Sequence, residues 1–350
     1  MSVTTEPSVS IIIPAYNEED NIEAVVCGFL DSSYSNILEI LVVDGNSSDR
    51  TPLKVADLAC RFDRVKLLHN QFRIQSSALN IGLKACRGDV FLRADAHCRY
   101  APDYVEKCVK TLLETGASNV GGAQRFVAES KFQAGVALAA KSLLGNGGAK
   151  YRDRQYDGYG DTVFLGCMWS QTLIDAGGYS NQITNEDAEL NQRLLKNNPE
   201  AIYISSQIKV WYYPRKTWLD LWIQYFRYGR GRYITTVKHT QSLQLRGKLP
   251  FLFISASIIW FSLDLFLLKI NLYTKELFIC GLIAVGAESL RVNLKYKKYF
   301  FKEIWQGSIK SAPWFISRWF DCARVIITLP VAHFSGYAYQ LLRKVFRFTD

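Results

Sequence analysis

Four short apolar runs early in the chain each end in a polar cluster and give way to a segment of helical period. That alternation constrains the fold more than any other feature. Residues 9–14 (VSIIIP), 39–43 (EILVV), 65–68 and 90–92 (VFL) read as buried strands. Residues 21–30, 49–60, 76–86 and 102–115 read as helices. Ile22, Val25, Val26 and Phe29 share one face of the first, Leu53, Ala56 and Ala59 are expected inward on the second, and a proline sits near the first turn of the fourth. This order predicts an α/β fold: a Rossmann-like, mostly parallel sheet with right-handed crossovers and helices on both faces. Ligands bind such sheets beyond the carboxyl ends of the strands. The polar clusters at 14–18, 44–49 and 93–97 are therefore the places to look for chemistry.

Beyond residue 115 the pattern loosens. Residues 119–127, 162–169 and 201–210 read as further strands. Residues 173–177 and 186–196 read as helices, the latter with Leu190, Leu194 and Leu195 apolar. Residues 141–160, rich in Gly, Lys, Arg, Tyr and Asp without period, are expected to be a mobile loop and a candidate lid. From 249 the character changes. Residues 249–268 carry one charge, Asp264, and are long enough to span a bilayer core. Residues 277–287 are apolar but short. Residues 313–339, interrupted by Arg318, Asp321 and Arg324, suit an interfacial or kinked helix better than a clean span. The alternative is a buried helical hairpin of a soluble domain.

The formal charge is +10, of which +3 lies in residues 1–248 and +7 in 249–350. A basic excess that accompanies the apolar tail points to a membrane surface and not to nucleic acid. Lys238, His239, Arg246 and Lys248 precede the first apolar segment, and Arg291, Lys295, Lys297, Lys298 and Lys302 follow the second. Both flanks are expected on the cytosolic side, with 269–276 as an outer loop. Eight cysteines without a CxxC pair speak against a zinc cluster. The opening MSVTTEPSVS has no apolar run of the signal-peptide kind, so the thiols are expected reduced and mostly buried.

After the first strand, Tyr16 offers a ring to stack on a base, and Asn17 and Glu18 offer groups for base or ribose edges; a turn and helix cap would use the same residues. Asp44 follows four apolar residues and is placed to accept from a base N–H or a ribose hydroxyl, whereas Asp49 can cap the next helix. Asp95 and His97 lie two apart beyond the fourth strand. In extended geometry they point the same way, which suits Mn²⁺ or Mg²⁺ on a diphosphate substrate, or else a simple Asp–His hydrogen bond. Glu186 and Asp187 open a helix, either as favourable charges at its N-terminus or with a carboxylate acting as general base. Gln224 and Arg227, at helical i, i+3 spacing, can clamp a diphosphate; a basic face on lipid headgroups is the other reading. The first strand–helix turn is PAYNEE, with no GxGxxG, which argues against hydride transfer from a dinucleotide.

Taken in order, VSIIIPAYNEE, VVDGNSSDRT, LNIGLKACRGD, RADAH, NEDAELNQRL and QYFRYG resemble the family 2 glycosyltransferases of the GT-A fold, from residue 7 to residue 235. RADAH and RYGRGR are most similar to the succinoglycan-biosynthesis, ExoA-like branch. The resemblance implies an inverting transfer of a sugar from a nucleotide sugar, a UDP-sugar, to a hydroxyl of a lipid-linked glycan acceptor. The setting it implies is polysaccharide synthesis on the cytoplasmic face of a bacterial inner membrane. It implies that Pro14, Ala15, Tyr16, Glu18 and Asp44 hold the nucleoside and that Arg93 joins the nucleotide-sugar site. Asp95 and His97 would hold Mn²⁺ or Mg²⁺ on the diphosphate, and Asp187 would be the base with Glu186 beside it. Gln224 and Arg227 would contact the diphosphate or acceptor. Residues 1–235 would form the transferase domain and 236–350 a membrane-associated helical region. The chain departs from the family pattern in three places: Asp-x-Asp reads Asp95-Ala96-His97, Gln-x-x-Arg-Trp ends in Tyr228, and an Arg-Asn pair reads Leu79-Asn80. Two other functions fit the same residues: direct transfer to polyprenyl phosphate, and a catalytically silent membrane subunit that binds glycan or nucleotide.

Overall fold

The computed structural model describes residues 6–146, 148–182, 184–238, 245–264 and 273–346. The chain forms two compact units, residues 1–125 with 150–212 and residues 126–149 with 213–350.

In the first unit the expected alternation is present: β1 (Val9–Ala15), α1 (Ile22–Leu30), β2 (Ile37–Asp44), α2 (Thr51–Arg61), β3 (Val65–His69), α3 (Gln75–Ala85) and β4 (Val90–Arg93). β1 pairs in parallel with β2 and β4, and β2 with β3. The register sets Ala15 beside Asp44 and Asp44 beside His69. β5 (Cys98–Tyr100), α4 (Tyr104–Thr115) and β6 (Asn119–Phe126) follow. Helices α5 (Lys131–Ala139) and α6 (Leu143–Asn146) belong to the second unit, and the chain returns with β7 (Gly158–Tyr159), β8 (Phe164–Trp169), α7 (Ser170–Asp175), α8 (Glu186–Asn197) and β9 (Ile202–Tyr212). The sheet order is β3-β2-β1-β4-β8-β6-β9-β5, with β7 also on β9. The sheet is mixed: β8 runs antiparallel to β4, β6 to β8, and β5 to β9. The few residues between β4 and β5 are too short for a parallel crossover, and β5 pairs with β9.

Strand side chains alternate between the two faces. Ile12, Leu41, Val43 and Phe91 share one core with Ala78 and Leu79 of α3 and with Leu190 and Leu194 of α8. The intervening Ile11, Ile13, Ile40, Val42 and Leu92 are fully buried in the other layer. All four expected inward residues of α1 are buried. On α2 the expectation fails: Leu53 is 66% exposed, and Thr51, Val55 and Leu58 face inward. Leu53 lies about 200° around the helix from Thr51, opposite the stripe that 51, 55 and 58 define. The 141–160 stretch is also more structured than expected. It holds α6, a 3-10 turn at Lys150–Arg152, and β7. The Asp157 carboxylate accepts from the Ser205 hydroxyl at 3.1 Å and the Ser206 N–H at 2.8 Å, a polar anchor that apolar periodicity does not reveal.

The second unit adds α9 (Trp218–Lys238), α10 (Leu245–Ser262), α11 (Thr274–Lys295) and α12 (Phe315–Val345). α11 is a full 22 residues, longer than the short segment expected at 277–287, and α12 is one 31-residue helix with Pro330 inside it. Both are long and apolar enough to cross a membrane, by length and composition. The apolar part of α10, Phe251–Ser262, is shorter. The rest of the span expected at 249–268 runs into residues 265–268, outside the described residues, as do His239 and 269–272 of the expected outer loop. α12 packs along α9 and α5. A Cβ on Gly229 would run into the His333 carbonyl, and one on Gly336 into the Phe226 carbonyl, so the helices cross at backbone contact. All eight cysteines are free thiols; four are buried, two half-buried and two exposed.

Glu39 is a buried carboxylate inside an apolar strand. It accepts from the Ser10 hydroxyl (2.9 Å), Lys66 Nζ (2.8 Å), the Arg87 N–H (2.8 Å) and Arg87 Nε (3.1 Å), tying β1, β2, β3 and the entry to β4 together. Burial alone would raise its pKa; the bonds from Lys66, Arg87 and Ser10 outweigh that and hold it below the ordinary 4.5. Glu39→Ala is expected to lower stability at neutral pH by about 1–3 kcal/mol. The folded form binds fewer protons here than the unfolded one, so the deficit shrinks as pH falls through the wild-type Glu39 pKa. Thermal midpoints of both proteins across an acid series measure it.

Candidate active site

The carboxyl ends of β1, β2 and β3 form a row, closed by the Gly45 N–H on Ala15 O (2.7 Å) and the Asn70 N–H on Asp44 O (2.8 Å). Pro14 is half-buried and Ala15 buried in this row. Just beyond it Tyr16 is exposed, with the Arg73 guanidinium 5.9 Å above its ring. Asn17 turns the chain with φ 54° and accepts the Ser48 N–H at 2.8 Å, which stitches the first two loops together. Asp44 is 2% exposed. Its Oδ2 accepts the Ser47 N–H at 3.1 Å, whereas Oδ1 is buried without a hydrogen-bond partner among the described residues. A buried carboxylate oxygen left unpaired is costly, and a ligand N–H or O–H would satisfy it. Asp49 accepts the Thr51 N–H at the start of α2 and the Glu19 N–H of the loop after β1, so it ties the two loops together as well as serving the helix start.

At the end of β4 the geometry differs from the extended one expected. Residues 95–98 make a turn, closed by the Cys98 N–H on Asp95 O at 3.3 Å, so Asp95 and His97 are not related by strand alternation. The Tyr100 hydroxyl accepts the Asp95 N–H at 2.7 Å and fixes the turn. Two groups bind Asp95 Oδ1, Gln75 Nε2 and Arg93 Nε, both at 3.3 Å. His97 turns Nδ1 to Glu18 Oε1 at 3.2 Å, and Glu18 Oε2 accepts from Asn21 Nδ2 at 2.9 Å.

Arg93 is buried and reaches two ways: Nε to Asp95, and Nη1 to Glu186 Oε1 at 3.2 Å. Glu186 is the first residue of α8, aimed inward by Asn185, whose φ is 61°. Asp187, the next residue, is exposed. It lines a small recess together with Arg93, Tyr179, Asn119, Leu165 and Asn191. The RADAH and NEDAEL segments thus meet at one guanidinium. Burial works against the Arg93 charge, but Asp95, Glu186 and Asp187 outweigh it and raise its pKa above the ordinary value. Burial pushes the Glu186 carboxyl up to about 7; Arg93 pulls the other way, and Asp187 and Asp95 add to the rise.

Among the described residues no three His, Cys, Asp or Glu side chains gather into a metal cage. Asp95 and His97 each keep one donor atom outside their own hydrogen bonds. Both bonds to Asp95 fall on Oδ1, leaving Oδ2 open, and with Nδ1 held by Glu18 the imidazole keeps Nε2 for a ligand. A carboxylate behind a ligating histidine is the usual outer-shell arrangement, and Mn²⁺ or Mg²⁺ commonly takes one or two protein donors plus phosphate oxygens and water.

The family model for Glycosyl transferase family 2 matches residues 10–172. The succinoglycan biosynthesis protein ExoA of Rhizobium meliloti is 36% identical over 249 residues, which cover 70% of this chain and 75% of that protein. The chain belongs to glycosyl transferase family 2. Another family relative, the probable glycosyltransferase YdaM of Bacillus subtilis, is 28% identical over 345 residues, covering 93% of this chain and 74% of that protein. The GT-A fold is matched by a mannosyltransferase from Pyrobaculum calidifontis, solved with GDP-Man and Mn²⁺. Its TM-score is 0.54 at 18% identity, over 97% of this chain and 89% of that one.

Within this glycosyltransferase, Gln224 and Arg227 lie on α9 of the second unit, where Gln224 Nε2 donates to the Tyr228 hydroxyl at 3.0 Å. Gln75 and Tyr100 carry no local sequence signal; only the turn after β4 and the start of α3 bring them to Asp95. Glu186 supplies a test of the cluster. Its folded pKa lies above the unfolded one, so the folded form binds the extra proton between about 4.5 and about 7, and stability is lost as pH rises through that window. Glu186→Gln removes the ionisation. The thermal midpoint of the variant relative to wild type is expected to climb from mildly acidic to mildly alkaline pH in chelator; a flat difference would place Glu186 outside the buried cluster.

Proposed function

We propose that the protein is an inverting glycosyltransferase that moves a sugar from a UDP-sugar to a hydroxyl of a lipid-linked glycan in bacterial cell-surface or exopolysaccharide synthesis. The observation that carries this reading is the Arg93 bridge from Asp95 to Glu186, which brings the carboxylates of two distant motifs to one guanidinium. The nucleoside lies on the β1–β2–β3 row: Tyr16 stacks on the base, and Asp44 Oδ1 accepts its imide N–H. Pro14 and Ala15 supply the floor. Glu18 orients His97, and so joins the nucleoside end of the site to the diphosphate end.

Glu186 is buried on Arg93 and acts by holding that guanidinium; the exposed Asp187 faces the recess and is the base. Asp187 takes the proton of the acceptor hydroxyl, whose oxygen displaces the nucleoside diphosphate from the opposite face of the anomeric carbon, in one inverting step. A Mn²⁺ or Mg²⁺ ion on Asp95 and His97 would neutralise charge gathering on the leaving diphosphate. Gln224 and Arg227 complete the contacts to diphosphate or acceptor. We place the transferase in residues 1–235 and the membrane-associated region in 236–350. The apolar helices α11 and α12 hold the protein at the cytoplasmic face of the inner membrane, where a lipid-linked acceptor is presented.

Turnover of a nucleotide-sugar panel with membrane lipid extract, with and without Mn²⁺ or Mg²⁺, tests this directly. No turnover of any donor would return the protein to a binding subunit. Asp95→Ala is expected to abolish metal-dependent turnover with the fold intact, and full activity in chelator would remove the ion from the reaction. Asp187→Ala is expected to cost about 10²–10⁴-fold in rate. A near-normal rate in Asp187→Asn would mean an acceptor that is already anionic, such as a polyprenyl phosphate.

A further inference from the structure

Between α11 and α12 the chain runs through residues 296–314 as a two-sided strap. One side is anchored. Phe300, Ile304 and Trp305 are buried, the Phe300 and Trp305 rings stack with centroids 6.1 Å apart, and the Arg318 guanidinium sits 4.0 Å over Phe300. The Ala128 N–H donates to Ile304 O, and the Gln306 N–H to Ala128 O, both at 2.8 Å. The other side is open. Lys297, Lys298, Lys302 and Lys310 are exposed on it, interleaved with exposed Tyr299, Phe301, Ile309 (80%) and Trp314 (84%). The strap's one acid, Glu303, faces Lys141 Nζ at 3.7 Å, so its charge does not offset the four lysines.

We infer that this face binds the headgroups of anionic phospholipids. The inference rests on the membrane attachment proposed above and adds a lipid preference to it. Two observations select the occupant. The strap is continuous with two helices long and apolar enough to cross a bilayer, which sets it at a helix-to-helix turn. Its exposed side also alternates ammonium groups with aromatic and aliphatic ones, the composition that sits at the headgroup level, rings and alkyl stems in the acyl boundary and charges outward. Because Phe300, Ile304 and Trp305 fix the backbone, the lysines are presented on a platform and little ordering is needed on contact. Each lysine near an anionic surface is worth about fivefold in association, an effect that salt screens.

The test uses full-length protein reconstituted in an equal mixture of phosphatidylglycerol and phosphatidylcholine, with trace spin-labelled phosphatidylglycerol or phosphatidylcholine. The fraction of each label immobilised by the protein is read by electron paramagnetic resonance. At low ionic strength the anionic label is expected to be preferred about fivefold or more, falling toward parity at high salt. The variant Lys297→Gln/Lys298→Gln/Lys302→Gln/Lys310→Gln is expected to lose the preference while immobilising as much lipid in total. Equal immobilisation of both labels by wild type would overturn the headgroup site and leave membrane attachment standing. No immobilised lipid of either kind would remove the attachment itself. A preference that survives in the quadruple variant would move the basic site elsewhere. Should that variant fail to fold, the salt titration of the unmodified protein and the pair Lys297→Gln/Lys298→Gln decide the matter.

Discussion

One buried guanidinium sets the geometry of the recess. Asp95 arrives at the end of β4 and Glu186 at the start of α8, and neither carboxylate would be held out of water without a cation between them. Arg93 meets both because its donors form a fork: Nε serves one acid and Nη1 the other. A lysine would have to meet both carboxylates at one nitrogen, without the planar fork that spaces them. The bridge also sets the backbone position of Asp187, which follows Glu186 on the first turn of α8. Three carboxylates around one guanidinium remain unbalanced. Protonation of Glu186 relieves part of that excess, in line with its raised pKa.

The row at the carboxyl ends of β1, β2 and β3 follows from parallel pairing. Parallel strands deliver their last residues to the same edge, so Ala15, Asp44 and His69 come level without any bond between their side chains. Asp44 is then buried by its own sheet with one oxygen satisfied by the Ser47 N–H and one left over. The first unit gains nothing in stability from that second oxygen, which is the sense in which the position looks built for a ligand. Glu18, in the loop after β1, meets the β4 turn through His97.

Much of this was legible in the residues, because apolar runs of four or five with β-branched content leave few alternatives to a buried strand. The βα order, the three polar strand ends and the inward face of α1 follow from that pattern alone. What was not legible has specific physical causes. Leu53 is apolar yet exposed, since the α2 stripe is set by Thr51, Val55 and Leu58 and a single apolar residue off the stripe carries little cost. The Asp95–His97 turn depends on the Tyr100 hydroxyl and Cys98 N–H, local bonds that spacing does not encode. Glu39 looks like an interruption of a strand, and only the approach of Lys66 and Arg87 from elsewhere makes it tolerable there. The 141–160 stretch is ordered by polar contacts such as those of Asp157, to which an apolar period is blind.

The length of α11 shows the same limit in the second unit. Read residue by residue, the apolar run stops at Ala287 because Glu288 and Arg291 follow. On the helix these two are one turn apart and form a 2.6 Å ion pair, and Glu288 also accepts the Leu143 N–H at 2.7 Å. The pair presents little net charge, and the helix continues past it to Lys295. On α12 the constraint is steric. Gly336 sits where any side chain would strike the Phe226 carbonyl of α9, Gly229 does the same toward His333, and Gly135 of α5 lies against Asp321. Three glycines on three helices thereby hold α12 in backbone-close contact on one side. Its other side keeps Ile316, Phe320, Ile327 and Val331 exposed, a contiguous apolar flank of the kind that marks an interaction face.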